Sequence, residues 1–428
     1  TYLSPVMGGW IADHLIGQKR SVLAGAGVLL LSYFALIFIT NDLALTAALA
    51  GIAVGTGLLK PNISSLLGNE YAYDAPNRES GFTIFYMGLT TGIILGTTLP
   101  SYLNSHFGWT ASFISASIGM IIAIGTFSFG MYHYKIEDYH PFEYQFNKIA
   151  SATLMMLSLW ITSFFILYYP AIADSVFIAV VIFSFIYLIH SVRNEAAKQA
   201  RKTMVIILLC IISVMFWAFY FQMFLSLTLF IARVVEPELL SIAFPPPYYV
   251  AVQSIGMIII GFILAKRHAR EKSTQQRAIH TGNKFVLSMV FMTLAYVLIA
   301  AVCKISFSIP LISPLYIIPA YLMISLAELL LSPVGLSAIT TLASRKKVST
   351  MMGIFFVSLG IGGYLSGKLA FLTAIPIGET SIVKLKLHYA TAFTQLLYIL
   401  AAATLVCFIL NVLIKYLMTQ PEENLEVL

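Results

Sequence analysis

The chain contains 428 residues, of which 59% are apolar and only 10% are charged. Ordinary soluble domains carry about 25% charged residues, so the composition excludes that class and indicates a membrane protein. The net charge of +7 requires no nucleic-acid partner, because an excess of basic residues on one side of a membrane explains it. The cysteines all fall within apolar runs and indicate neither a disulfide framework nor a zinc site; they are Cys210, Cys303 and Cys407.

The chain starts with a short apolar segment, Thr1–Ala12, that leads directly into Asp13. The segment is too short to span a bilayer, so we expect it to be the second half of a helix, with at least one further helix before Thr1. Longer apolar runs follow, each close to the roughly 18–20 residues that a spanning helix needs. They lack the strict alternation of barrel strands, which predicts an all-α polytopic membrane protein. The runs cover residues 21–39, 43–67, 82–103, 110–132, 149–168, 173–190, 203–231, 247–265, 285–303, 312–340, 350–375 and 390–418.

The basic residues between these runs predict the orientation in the membrane. Alternate loops hold most of the lysines and arginines, whereas the opposite loops at 40–42, 104–108 and 169–174 hold none. The later opposite loops hold only Arg233, Lys304, Lys384 and Lys386. Cytoplasmic loops are enriched in both residue types. We therefore expect the basic loops and the C-terminus to face the cytoplasm; they are residues 13–20, 133–148, 190–202, 266–284, 345–347 and the tail from residue 415.

The spacing of the runs divides the chain into two helical bundles with a pair of helices between them. We predict an N-terminal bundle over 1–133, an inserted helix pair with a basic cytoplasmic linker over 134–202, a six-helix bundle over 203–419 and a tail over 420–428. With one preceding helix the first half also has six, and two six-helix halves around a midplane site are a common transporter plan.

Two ionisable residues lie deep inside apolar runs, Lys60 in GTGLLKPNISSLLG and Glu328 in AELLLSPVGLS. A charge near the bilayer centre costs about 2.5–3.5 kcal/mol on insertion scales, so such residues usually face a polar cavity. Pro61 and Pro333 stand beside them and each removes a backbone hydrogen bond, which favours a cavity there. Ser332, one turn after Glu328, should face the same side.

Several motifs together resemble the proton-dependent oligopeptide transporters (POT family) of the major facilitator superfamily. GGWIADHLIGQKRSVLAGAGVL (8–29) resembles the family signature. GTGLLKPNISSLLGNEY (55–71), FTIFYMGLTTG (82–92) and AELLLSPVGLSAITTLA (327–343) are more specific. The resemblance covers essentially the whole chain and implies a major facilitator fold with the two extra helices of bacterial members. In the first motif it assigns a gating role to Gly8, Gly9, Asp13, Gly17, Lys19 and Arg20.

The resemblance also implies the function: a symporter that imports di- and tripeptides through the cytoplasmic membrane, with protons as the coupling ion and no cofactor. It assigns the peptide carboxylate to Lys60 and the amine to Glu328, and it makes both candidates for proton coupling. A peptide held by both would bridge the predicted halves and favour their closure. The other residues that we place in the substrate site are Ser332, Tyr2, Thr90, Trp217, Gln222 and Phe355. The family's E-x-x-E-R motif would lie before Thr1, and we expect a monomer.

The chain departs from the family pattern at several pocket positions. Phe221 stands where the family often has glutamate, Thr90 where it has asparagine, and Phe355 where it has tryptophan. Gly256–Met257 replaces an Asn-Pro pair, and Gly363 replaces another asparagine. We therefore expect a more apolar pocket that prefers larger hydrophobic side chains or a non-peptide substrate.

Four alternatives remain open at this stage. A relative that carries another amphipathic or anionic solute is one, although Glu328 argues against an anion. The others are a non-peptide exporter of the major facilitator class, a transport-dead receptor and a membrane enzyme. The sequence lacks H-E-x-x-H and G-x-S-x-G motifs, which makes the enzyme the weakest of them.

Overall fold

The computed structural model describes residues 4–72, 75, 77–138, 145–267, 274–305, 311–375 and 381–419. Within these ranges twelve helical segments are long and apolar enough to cross a membrane. Each coincides with one of the apolar runs in the sequence, which confirms the all-α polytopic class. Run length predicts the spans well because a bilayer requires about 20 residues of helix whatever the details of packing.

The helices are numbered in chain order. They are α1 (Ser4–Ile11), α2 (Gln18–Leu36), α3 (Asp42–Asn69), α4 (Arg78–Phe107), α5 (Trp109–Tyr134), α6 (Phe146–Tyr168), α7 (Ala173–Asn194), α8 (Ala197–Tyr220), α9 (Ser226–Val234), α10 (Pro246–Arg267), α11 (Thr274–Ile305), α12 (Ile318–Leu342), α13 (Val348–Ala370) and α14 (Ile382–Thr419). A π-helical turn, Ala12–Ile16, follows α1. Two short strands of two residues each, β1 (Glu238–Leu239) and β2 (Ile242–Ala243), pair in an antiparallel hairpin.

The structure contains a break within one of the predicted membrane-spanning helices. The single run at 203–231 is interrupted after Tyr220 by a 3-10 turn, Phe221–Met223, before α9 begins. The two prolines beside the charged residues lie inside continuous helices, Pro61 in α3 and Pro333 in α12, and the local loss of a backbone hydrogen bond at each stays a prediction. Apolar run length reports where a span lies but carries no information about such local breaks.

The chain separates into two compact units. Unit 1 comprises 1–78, 92–206 and 339–357, and unit 2 comprises 79–91, 207–338 and 358–428. Unit 1 thus includes the inserted pair and a segment around the start of α13, whereas unit 2 includes the first turns of α4. The division into two bundles and an inserted pair stays a prediction.

Close helix contacts in unit 1 depend on glycine. A Cβ atom added to Gly8 of α1 would overlap the carbonyl oxygen of Gly57 in α3, and one added to Gly25 of α2 would lie 2.8 Å from the carbonyl oxygen of Gly55. Neither oxygen can move aside as a flexible side chain could. Small residues allow helix backbones to approach in this way in membranes.

We expect Gly8→Ala to lower the thermal unfolding temperature, because the added methyl group forces α1 away from α3. Overpacking of this kind costs about 1–3 kcal/mol. Gly27→Ala is the matched control, since its Cβ would meet nothing within 4 Å. Intrinsic fluorescence during heating in detergent measures both; equal unfolding temperatures for the two variants would contradict the packing argument.

Unit 2 is held together by buried aromatic and polar contacts. The Tyr296 hydroxyl in α11 donates to the carbonyl oxygen of Phe219 in α8 at 2.9 Å. Between α11 and α14, Asn411 donates to the Asn283 side chain at 2.9 Å. Polar side chains that bond across helices strengthen association in lipid, where no hydrophobic force brings helices together.

Candidate functional site

Lys60 lies in the second half of α3 in unit 1 and is half-buried. The next two positions shape its surroundings, because Pro61 has no N–H to donate and Asn62 is fully buried. The Asn62 amide donates to the carbonyl oxygens of Leu58, at 2.6 Å, and of Gly8, at 3.1 Å. A buried asparagine therefore fixes α3 against α1 directly beside the lysine.

Glu328 lies in α12 of unit 2 and is only 4% exposed. One carboxylate oxygen accepts from the Tyr86 hydroxyl at 2.6 Å, and the other accepts from the Gln253 amide at 2.7 Å. Tyr220 supplies a further side-chain hydrogen bond. Donors from α4, α8 and α10 thus converge on one carboxylate, which fixes its position.

Ser332 and Trp217 are also buried in unit 2, each 4% exposed. The Ser332 hydroxyl and the Trp217 ring N–H have no hydrogen-bond partner among the described residues. Buried polar groups are usually paired with protein or ordered water. Both side chains therefore retain hydrogen-bonding capacity, Ser332 close in sequence to Glu328 and Trp217 close to Tyr220, which donates to Glu328.

The side chains of Gln222 and Thr90 form hydrogen bonds within the protein. The Gln222 amide donates to the Ser366 carbonyl at 2.7 Å, and its oxygen accepts from Ser226 at 2.6 Å. Thr90 donates to the Tyr86 carbonyl in its own helix at 2.9 Å. A peptide contact at Gln222 would have to replace these bonds, so its assignment to the substrate site has less support than that of Ser332.

The remaining predicted substrate residues lie elsewhere. Phe355 is buried in unit 1, in the first half of α13. Tyr2 lies outside the described residues. Their place in a substrate site remains a prediction.

Two departures from the family pattern lie against each other. A Cβ atom added to Gly363 in α13 would lie 3.5 Å from the ring of Phe221. That ring also packs against Trp217, with centroids 5.4 Å apart. A bulky apolar side chain thus stands next to a residue without a side chain, where the family pattern has two polar residues.

The first motif contributes a helix cap. Asp13 is 6% exposed, and its carboxylate accepts from the backbone N–H groups of Ser349, at 3.2 Å, and Thr350, at 2.7 Å. These N–H groups belong to the first turn of α13, where free donors and the helix dipole favour an acidic partner. Gly17 follows at a φ of 79°, a left-handed conformation that glycine adopts without strain.

Burial raises the pKa of Asp13 from 3.8 to about 7, although the bonds from Thr350 and Ser349 oppose the shift. Tyr187 of α7 is the titratable group that faces this carboxyl group and Thr350. A buried Asp13 holds its proton more tightly than a hydrated one. Because folding favours the protonated form, Asp13 contributes most to the free energy of unfolding below about pH 4, and this contribution falls by roughly 4 kcal/mol as the pH rises to about 7.

We expect the unfolding temperature of the protein to fall from pH 4 to 7 relative to that of Asp13→Asn, which cannot titrate. Thermal unfolding of both proteins across this range measures the difference, and a carbonyl band that disappears near pH 7 in infrared titration assigns it to Asp13. Parallel pH profiles for the two proteins would contradict this prediction.

The sequence reasoning missed other polar contacts near the predicted cytoplasmic ends. Arg78 is 1% exposed and donates to the Thr340 hydroxyl at 2.6 Å in unit 1. Lys284 pairs with Glu79 in unit 2. Both contacts join parts of the chain that the sequence assigns to different halves. Burial of Arg78 in particular could not be inferred, because it follows a polar loop.

The many spans, together with a half-buried lysine and a buried glutamate within them, define a multi-pass membrane protein of the transporter class. The sequence profile of the POT family matches residues 20–383. The chain belongs to this family of peptide transporters; it is a transporter and not an enzyme.

The similar proteins agree with this assignment. A dipeptide and tripeptide permease B of Aeromonas hydrophila subsp. hydrophila is 29% identical, over 91% of this chain and 78% of the permease. A dipeptide and tripeptide permease A of Salmonella typhimurium is 28% identical over the same shares. A solved bacterial homologue of the human drug peptide transporters is 26% identical, has a TM-score of 0.70, and aligns over 97% of this chain and 87% of its own.

Proposed function

We propose that the protein is a proton-coupled symporter that imports di- and tripeptides across the cytoplasmic membrane by alternating access. Membership of the POT family supports this, as do the names of the permeases to which the chain is similar. The observation that carries the proposal is the buried Glu328 carboxylate, held by Tyr86, Tyr220 and Gln253. A fixed anion inside an apolar span suits the ammonium group that every such peptide carries.

Lys60 supplies the complementary charge for the peptide carboxylate. A small peptide has two charged ends of fixed chemistry and side chains that vary. A carrier of many peptides must therefore recognise the ends and leave space for the rest. Lys60 can hold a carboxylate by charge-assisted hydrogen bonds, which are about twice as strong as neutral ones.

Proton coupling requires a group that can take up and release a proton inside the membrane. Phe221 cannot take a proton, so Glu328 is the candidate carboxylate in the described part of the chain. Protonation of Glu328 removes the charge that binds the peptide amine, which links the entry of a proton to the binding and release of a substrate.

The cytoplasmic contacts supply the gate. Asp13 binds the start of α13, and Glu79 pairs with Lys284. Each contact joins a residue of the predicted N-terminal bundle to a residue of the predicted C-terminal bundle. Opening the site to the cytoplasm therefore requires both contacts to break. Release of the peptide is thereby tied to a small number of polar contacts.

The contact of Phe221 with Gly363 supports a preference for apolar peptides. We expect phenylalanine-containing dipeptides to compete with dialanine about tenfold better than glycine-containing ones, because burial of one large apolar side chain contributes about 1.5–3 kcal/mol. Inhibition of labelled dialanine uptake by a series of dipeptides measures this. Equal inhibition across the series would contradict the apolar pocket.

The same contact favours a second candidate, a non-peptide amphipathic solute. The loss of polar groups at 221 and 363 removes contacts that a peptide backbone could use. Retention of both Lys60 and Glu328 weighs against a solute that carries only a negative charge, because such a solute needs only the lysine.

Uptake by the purified full-length protein in liposomes tests the proposal. An inward proton gradient should drive accumulation of labelled dialanine above the external concentration, and an uncoupler should abolish it. Failure to accumulate any of several di- and tripeptides, by protein that remains folded, would contradict the proposal and favour the second candidate.

A further inference from the structure

A group of polar residues at the junction of α7 and α8 contacts the turn between α12 and α13. We call this group the brace; its members are Tyr187, Ser191, Glu195, Gln199 and Thr203. All of them, and the turn itself, belong to unit 1. The turn consists of the end of α12, the 3-10 segment Arg345–Lys347 and the first residues of α13.

Glu195 is the centre of the brace. One of its oxygens accepts from Lys347 of the turn at 3.0 Å and from Ser191 at 2.8 Å, and the other accepts from Thr203 at 2.6 Å. The Lys347 ammonium group also donates to Ser191 at 2.8 Å. The Glu195 side chain is 10% exposed and that of Lys347 27%, so the pair is only partly screened by solvent.

The brace contacts the turn at both of its ends as well. The Gln199 amide donates at 2.8 Å to the carbonyl oxygen of Leu342, the last residue of α12, where helix carbonyls lack internal partners. Tyr187 contacts Thr350 in the first turn of α13. The turn is thus held at its start by Gln199 of α8, in its middle by Glu195 of the linker and at its end by Tyr187 of α7.

Asp13 and Gln18 contact the same turn from the first motif. The Gln18 amide donates to the Ser349 hydroxyl at 2.8 Å, and Asp13 accepts from the N–H groups of Ser349 and Thr350. Capping by Asp13 requires the first turn of α13 to stay within hydrogen-bond reach of a fixed carboxylate. Rigid support of the turn from another direction keeps those donors in place.

We infer that the brace positions the start of α13 for Asp13 and so stabilises the closed form of the cytoplasmic gate. Glu195 is the main positioning residue. The end of α7 and the linker into α8 therefore act on the transport cycle through the α12–α13 turn, without contact to the substrate. This inference rests on the gate of the proposed function but does not depend on the identity of the solute.

Distances between spin labels on the two sides of the Asp13 contact test the inference. The full-length protein receives nitroxide labels at cysteines that replace His14 and Lys346, both of which are exposed. The native cysteines are buried and are replaced by serine. Pulsed electron resonance then reports the distance distribution in the absence of any peptide, so the result stands even if dialanine is not transported.

We expect a narrow distribution in the labelled parent, and a broader one that extends to longer distances in Glu195→Ala. A charge-assisted hydrogen bond of about 1.5 kcal/mol corresponds to roughly a tenfold change in the population that leaves the contact. Arg193→Ala is the matched control, because it removes an exposed charge two residues away. The exchanged pair Glu195→Lys with Lys347→Glu should restore the narrow distribution.

An identical distribution in Glu195→Ala and Arg193→Ala would overturn the inference. Should Glu195→Ala fail to fold, Lys347→Met carries the test, because its more exposed side chain can be replaced without leaving a buried cavity. A broadened distribution that the exchanged pair does not narrow would show general loosening and would overturn the positioning role of the ion pair.

Discussion

We expect Lys60→Ala to reduce gradient-driven uptake of dialanine about a hundredfold. The substitution removes the cation that holds the peptide carboxylate, and hydrogen bonds to charged groups contribute about 1.5–3 kcal/mol each. It also removes one of the two residues that we propose for proton coupling. Initial rates of labelled dialanine uptake, measured in liposomes with equal amounts of protein, give the effect.

Two variants separate this role from loss of charge or fold. Lys60→Arg keeps the charge and should retain part of the uptake, although a planar guanidinium group binds differently from an ammonium group. Lys304→Ala removes an exposed lysine at the end of α11 and should transport like the parent. Full gradient-driven uptake by Lys60→Ala would exclude Lys60 from both binding and coupling.

The second large effect should come from Glu328→Gln, which we expect to lower uptake at least tenfold. The substitution keeps the shape of the side chain but removes the anion for the peptide amine. It also places an amide where Tyr86 and Gln253 now donate to two carboxylate oxygens, so one of those donors loses its acceptor. The same uptake assay, run across a range of peptide concentrations, measures the loss.

Tyr86→Phe and Glu236→Gln are the matched variants for Glu328. Tyr86→Phe removes one hydrogen-bond donor to the Glu328 carboxylate. It should lower uptake less than Glu328→Gln does, because the carboxylate remains but is held less firmly. Glu236→Gln changes an exposed carboxylate in the connection after α9 and should have no effect. If Glu328→Gln and Glu236→Gln transported equally well, Glu328 would have no part in amine recognition.

The sequence predicted the spans and the two ionisable residues within them, because both follow from the energetics of the bilayer. It could not predict which side chains complete the site. Gln253 lies 75 residues before Glu328 and meets it only through the packing of α10 against α12. Tyr86 lies 242 residues before Glu328, and its local sequence does not distinguish it from an aromatic residue that packs between helices.

The brace was equally inaccessible from sequence. In the sequence, the linker RNEAAKQARK indicates only a basic, amphipathic cytoplasmic lead-in to the next helix. In the structure, Glu195 and Gln199 from this linker contact the α12–α13 turn. Contacts across about 150 residues depend on tertiary packing, so local composition contains no signal for them.

Simultaneous measurement of proton and peptide entry tests the central claim most directly. Liposomes that contain the full-length protein and an entrapped pH indicator receive labelled dialanine outside, at equal pH on both sides and with an inside-negative potential. Symport predicts that the lumen acidifies as the label enters and that Lys60→Ala abolishes both signals. Entry of label without acidification, or neither signal from folded parent protein, would contradict proton-coupled peptide symport.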